Sequence, residues 1–325
     1  MILPRRALLR LAAGAVALPA LPRMVRAQSY PNRPVHIVVG FAAGSASDII
    51  ARLIGERLSQ RLGHPFVIEN RGGAGGTIGA EAVARAPTDG YTLLLSGSQD
   101  AVTTTLYEKL SYNFLRDFAP IASIARGPLV LVVHPSFPAR TVPEFIAYAK
   151  ANPRKINYGS AGVGTIAHMA GALFESDARI QMVHIPYRGL APALTDLMSG
   201  RLQAVFSTMP PAVAHVKAGR LRALAVTSVA RSEAFPDLPT IGGFLPGYEA
   251  SVLIGLSGPQ GVPAEVINVL NNEVATAAAD PQVIARLADL GTVPAAMAAG
   301  DYEKDLAEET GKWAKVIKTA GLKPE

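Results

Sequence analysis

From Val35 onward, short apolar runs rich in β-branched residues alternate with stretches whose apolar positions recur at helical spacing. This alternation restricts the fold more than any other feature of the chain. "VHIVVGF" is predicted as a buried strand, and "SASDIIARLIGERLSQRLG" as the helix after it. Ile49, Ile50, Leu53, Ile54 and Leu58 share one face of that helix, and Gly63 stops it. "PFVIEN", a glycine-rich bend "RGGAGG", a helix "TIGAEAVARA" and a third strand "DGYTLLLSG" complete a first series. A second begins at "GPLVLVVHP" and runs through "TVPEFIAYAKANP", "KINYGS", "TIAHMAGALFES", "QMVHIPY", "LAPALTDLMSG", "LQAVFS", "PPAVAHVKAG" and "LRALAVTS". Strands and helices alternating at these lengths require parallel sheets covered on both faces, one per series. After "ASVLIGLSGP", a further strand, the remainder reads as helical, with Trp313 at helical spacing from Leu306 and Ile317 and therefore expected in the core.

The first 27 residues stand outside this pattern. "MILPRRALLR" is a basic head, "LAAGAVALPALP" an apolar stretch of 12 residues, and "VRA" a small-x-small cleavage site ending at Ala27. That is the layout of a secretory signal peptide, too short to span a bilayer. Arg5-Arg6 followed by "ALL" resembles a twin-arginine export signal; an ordinary charged head reads the same way, and both routes stay open. The segment holds five of the 31 basic residues, so the chain from Gln28 carries 26 against 25 acidic ones, a net of +1. The basic footprint of a nucleic-acid binder is absent. With no cysteine anywhere, disulfides, thiolate nucleophiles, zinc-thiolate sites and lipidation at a signal-peptide cysteine are excluded. An exported protein without an anchor, cofactor or metal fits the periplasm of a Gram-negative cell, and its size calls for two lobes.

Two glycine turns, each at the carboxyl end of a strand and the start of a helix, hold the chemistry. "GSAGVGT", residues 159–165, admits three readings. A dinucleotide site would need an acidic residue at the end of the next strand, and "QMVHIPYRG" has none. A serine nucleophile would need glycine two positions before Ser160, where Tyr158 stands, and nothing in the spacing joins Ser160 to His168. A small anion held by main-chain N–H groups at a helix N-terminus needs only clearance, dipole and hydroxyls, all of which the turn supplies. "GFAAGSASD", residues 40–48, repeats the device in the first series. In open α/β sheets ligands sit outside such strand ends, so the two turns are expected to face each other across a cleft.

The segments "YPNRPVHIVVGFAAGSASDIIARLIGERL", "VIENRGGAGGTIGAEAVARAPTDGYTLL", "NYGSAGVGTIAHMAGALF", "HIPYRGLAPALTDLMSGRLQAVF" and "KAGRLRALAVTSVARSEAFPDLPTI", in this order, resemble the Bug-type solute-binding proteins of tripartite tricarboxylate transporters. The resemblance implies an α/β type II periplasmic-binding-protein fold, with two lobes joined by hinge strands and closing on the ligand. Residues 28–127 with 227–325 would form one lobe and 128–226 the other. It implies a monomer that binds a small organic carboxylate and delivers it to membrane transporter subunits. The ligand contacts it implies are Ala43, Gly44, Ser45 and Asp48 in the first turn, Ser160, Gly164, Thr165 and His168 in the second, and Tyr187 and Arg188 in "PYRG". The sequence departs from the family's pattern at the first turn, which lacks a proline, and at Ser207, where an acidic residue is frequent. An exported hydrolase on a similar scaffold is the other function class.

Overall fold

The computed structural model describes residues 30–323 apart from position 108. The expected signal peptide, its arginine pair and its cleavage site lie outside the described residues. Val35–Val39 (β1) pairs in parallel with Phe66–Asn70 (β2) on one side and with Thr92–Gly97 (β3) on the other. Ala46–Leu62 (α1) and Thr77–Ala84 (α2) make the crossovers. α1 buries Ile50, Ile54 and Leu58 against Val35, Ile37, Val39 and Leu93. Each such side chain contributes about 1.5–3 kcal/mol by leaving water. Gly63 ends α1 in the left-handed conformation, as its position in the sequence predicts.

Ser98–Leu106 (α3) and the short Phe114–Asp117 (α4) lead into Phe118–Val133 (β4), a strand of 16 residues. Val142–Ala151 (α5), Asn157–Ser160 (β5), Ile166–Ala178 (α6), Val183–Pro186 (β6) and Leu190–Met198 (α7) follow. Ala204–Thr208 (β7), Met209–Lys217 (α8) and Arg222–Val226 (β8) complete the second series. β5 is parallel to both β6 and β7. Ser251–Pro259 (β9) then returns to the first series, followed by Ala264–Ala278 (α9), Pro281–Asp289 (α10), Val293–Pro294 (β10) and Ala299–Ala320 (α11).

The strands form one hydrogen-bonded path, β2-β1-β3-β9-β4-β7-β5-β6, with β8 and β10 also on β4. Purely parallel sheets were the expectation; the sheet is mixed. β9 runs antiparallel to both β3 and β4, and β7 and β8 run antiparallel to the far half of β4. The reason lies in the chain path. β4 carries the chain out of the first series and β9 carries it back, and strands traversing a junction in opposite senses pair without a crossover helix.

α11 touches both series. Tyr302 and Leu306 pack with Val38, Leu94, Phe118 and Leu253, whereas Trp313, Val316 and Ile317 pack with the cluster of Tyr158, Phe174 and Phe206. Trp313 is fully buried, as its spacing predicts, and its Nε1 donates to Glu309 Oε2 at 2.8 Å. Among the described residues no helix is long and apolar enough to cross a membrane.

Candidate functional site

The first turn is held open by Asp48. Ser45 caps α1 by accepting from the Asp48 amide at 3.2 Å, and the Asp48 carboxylate turns back to take the Gly44 amide at 2.8 Å. Its other oxygen accepts from Asn70 Nδ2 at 2.9 Å and pairs with Arg52 Nη2 at 2.9 Å. Asn70 also donates to the Phe41 carbonyl at 3.0 Å, so the end of β2 braces the turn after β1. Burial alone would raise the Asp48 carboxyl. The bonds from Arg52, Gly44 and Asn70 outweigh it and hold the group below the usual carboxylate range.

The second turn is braced from beneath by two histidines. Thr165 caps α6, accepting from the His168 amide at 3.4 Å while its hydroxyl donates to Gly162 O at 2.8 Å. Gly164 donates its amide to His168 Nδ1 at 3.1 Å. Nδ1 therefore carries a lone pair, and the neutral ring holds its proton on Nε2. His168 stacks on His184, ring centroids 3.8 Å apart and planes 11° from parallel. Burial lowers His168 to about 4, and burial together with His168 lowers His184 to about 3. Gly164 sits at φ +76, where a Cβ would also meet Leu106 Cδ2 at 2.5 Å, so the position admits no side chain without movement.

This pair makes the fold acid-sensitive in a defined window. An unfolded chain protonates both rings below the reference value of 6.5, while the folded one keeps them neutral to about 4. The stabilisation is therefore complete above 6.5 and is lost as pH falls toward 4, by up to roughly 3 kcal/mol for each ring. Urea unfolding at neutral pH and again near the lower limit should show the loss in the wild type and about half of it in His168→Gln. Equal slopes for the two proteins would refute the assignment. Thr165→Ala, which removes a cap, should cost about 1 kcal/mol in the same measurement at neutral pH.

Both turns open onto one cavity of about 1200 Å³. Ala43, Gly44, Ser45, Thr165, Tyr187 and Arg188 stand in its wall. Asp48, Ser160, Gly164 and His168 do not; they lie behind the wall and hold it. The Tyr187 hydroxyl is likewise engaged, donating to Asp196 at 2.8 Å. Arg188 is exposed and makes no ion pair among the described residues. The first turns of two helices reach the cavity as well. Ala46 and Ser47 open α1, Ile166 and Ala167 open α6, all four line the wall, and first-turn amides have no intrahelical acceptor. Two helix dipoles thus end in the same space with N–H groups to spare.

The cavity also has lining that the two turns do not announce: Asn70, the bend from Gly72 to Gly76, Gln99, Asp100, Tyr107 and Thr208. Gln99 Nε2 donates to the Gly164 carbonyl at 2.9 Å, a bond from α3 to the opposite turn. Asp100 is buried without a cation, and burial pushes its carboxyl up to about 7. The strand-end rule applied to β3 would have found both residues, since "SGSQDA" follows that strand directly. The spacing also hid a serine-histidine pair. Ser160 Oγ lies 2.7 Å from His184 Nε2. It is no nucleophile: Ser160 is fully buried, lies outside the cavity wall and is tied to both the amide and the carbonyl of Gly162. Ser207, the other departure noted above, is buried and donates to the Thr208 carbonyl at 2.8 Å. Among the described residues no group of His, Asp and Glu is arranged to hold a metal.

The family model described as "Tripartite tricarboxylate transporter family receptor" matches residues 50–322. The chain belongs to this family. Protein BugT of Bordetella pertussis is 34% identical to this receptor over 311 residues, 95% of each chain. The structure of R. palustris Rpa4515 with adipate is 36% identical, covers 91% of the receptor and 100% of that chain, and has a TM-score of 0.85. MatC (Rpa3494) from Rhodopseudomonas palustris with bound malate is 31% identical, covers 89% of the receptor and 100% of that chain, and has a TM-score of 0.80. The receptor therefore has the two-lobed α/β fold of these Bug- and TctC-type binding proteins, with the cavity as its cleft.

Proposed function

We propose that this receptor captures a small organic carboxylate in the cleft between its two glycine turns and delivers it to a tripartite tricarboxylate-type membrane transporter. One observation carries the reading: the free first-turn amides of α1 and α6 line a single cavity. Such amides hold a carboxylate by dipole and hydrogen bond without a buried cation. The adipate and malate of the two related structures are ligands of this chemistry. Ala43, Gly44, Ser45, Thr165 and Arg188 would meet the ligand, while Asp48, Ser160, Gly164, His168 and Tyr187 set the shape of the wall. The role is binding, not catalysis, and needs no cofactor. The protein acts as a monomer in the periplasm, with residues 28–127 and 227–325 in one lobe, 128–226 in the other, and the two lobes closing around the ligand.

A thermal-shift panel of organic acids tests this. A true ligand at 100 times its dissociation constant stabilises by about 2.7 kcal/mol. No shift with any carboxylate, or turnover of one, would overturn the reading. Export is tested separately. Deleting Met1–Ala27 should retain the protein in the cytoplasm, and the exported form should begin at Gln28. Arg5→Lys with Arg6→Lys should block export if the twin-arginine route is used, and full export of that variant would assign the general route.

A further inference from the structure

Three helices present their N-termini to the cleft in different electrical states. α6 has no acidic residue in its first turn. α1 has Asp48, but Arg52 neutralises it. α3 has Asp100, whose Oδ2 accepts from the Gly97 amide at 2.9 Å, and no Lys or Arg among the described residues pairs with it. The N-terminal end of α3 is therefore already filled by the chain's own carboxyl group, and the donor a ligand anion would use there is taken. Asp100 is 8% exposed and is the single acidic side chain among the residues lining the cavity. The same wall carries apolar Leu94, Leu95 and Leu253, and Gln99, the residue before Asp100, has its amide nitrogen committed to Gly164. Resting on the carboxylate reading above, we propose that Asp100 receives a hydrogen-bond-donating group of the ligand. The ligand is then an organic acid bearing a hydroxyl, amide or ammonium group, and not a simple dicarboxylate.

A second carboxylate at this end would face an acceptor-only group in a desolvated corner, whereas a donor there satisfies it. Because burial lifts the Asp100 carboxyl to about 7, its charge changes within an accessible pH range. Tyr302 on α11 and Tyr112 before α4 face it, and it helps to push both phenols upward. Glu81 on α2 acts on Tyr112, and Asp305 acts on Tyr302. α4 brings Arg116 and Asp117, paired with each other, and α6 brings neutral His168. β3, β9 and the bend from Gly72 to Gly76 bring no titratable side chain.

Calorimetry with three chain-matched probes decides the matter: adipate, 6-hydroxyhexanoate and 6-aminohexanoate, near pH 6 and pH 8. At the higher pH the wild type should bind the hydroxy and amino acids at least about tenfold tighter than adipate. Adipate should tighten at the lower pH, where Asp100 is protonated and can donate, while 6-aminohexanoate weakens. In Asp100→Asn the preference should shrink and the opposite pH trends disappear. Should that variant fail to fold, the pH trends of the wild type decide alone. Adipate bound more tightly than both partners at both pH values, or ratios unchanged in Asp100→Asn, would overturn this inference and leave the carboxylate reading intact. No binding of any of the three would overturn it, and failure of every acid in the wider panel would remove the carboxylate reading as well.

Discussion

Gly97→Ala is expected to break the centre of the sheet. A Cβ at Gly97 would lie 1.8 Å from the Leu253 carbonyl oxygen, inside the β3–β9 pairing that sets Gly97 opposite Ile254. Neither backbone has room to yield. The Gly97 amide is held by Asp100, and Ser98 Oγ accepts from the Leu253 amide at 3.0 Å. The cost should exceed the roughly 1–3 kcal/mol of an ordinary overpacked methylene. It should appear in urea unfolding followed by circular dichroism as a lower midpoint with loss of ligand-induced stabilisation. An unchanged midpoint would mean that the two strands are not in contact at this register.

Trp313→Ala should be of similar size for a different reason. It removes the largest buried side chain of α11, and truncations of this kind cost roughly 3–5 kcal/mol. It also removes the donor to Glu309 Oε2, leaving that carboxylate, 5% exposed, with only the more distant Lys312 and Arg126 at 3.8 and 4.0 Å. Trp313→Phe separates the two effects. It keeps most of the volume and loses the donor, so its cost should be roughly 1–3 kcal/mol, the penalty of an unsatisfied buried group. Trp313 is the sole tryptophan of the chain, so both variants must be followed by circular dichroism. Equal losses for the two variants would assign the whole effect to the hydrogen bond.

What the sequence showed and hid follows from which signals are local. The alternating runs marked β1, α1, β2, α2 and β3 because each is closed by its own turn residues. The near half of β4 was invisible: "FAPIASIAR" carries a proline and no clean alternation, and it is a strand because β9 lies beside it. α3 was missed because "SQDAVTTTL" contains three consecutive β-branched threonines, poor helix formers, and its stability comes from the Asp100 cap and from packing on α11. The two turns were found, but not the direction of their side chains. Spacing locates a hydroxyl such as Thr165 Oγ1 within a turn; whether it points at a ligand or back at Gly162 is decided in three dimensions. Asp100 follows β3 behind a single glycine, without the repeated glycines that mark the turns after β1 and β5.

The order in which the sheet can be completed differs from the order in which the chain is made. β9 sits between β3 and β4, and the Ser96–Ser257 hydroxyl contact at 2.7 Å closes a separation of 161 residues. Until that strand arrives, the facing edges of β3 and β4 stay unpaired, and an amino-terminal fragment ending before Ser251 has a gap at its middle. Such long-range closure is slow, and open edges recruit other chains. A nascent copy is therefore expected to depend on a holding factor until its last quarter is present. Split versions of the protein should recover only when the break falls in a surface loop and both pieces are refolded together.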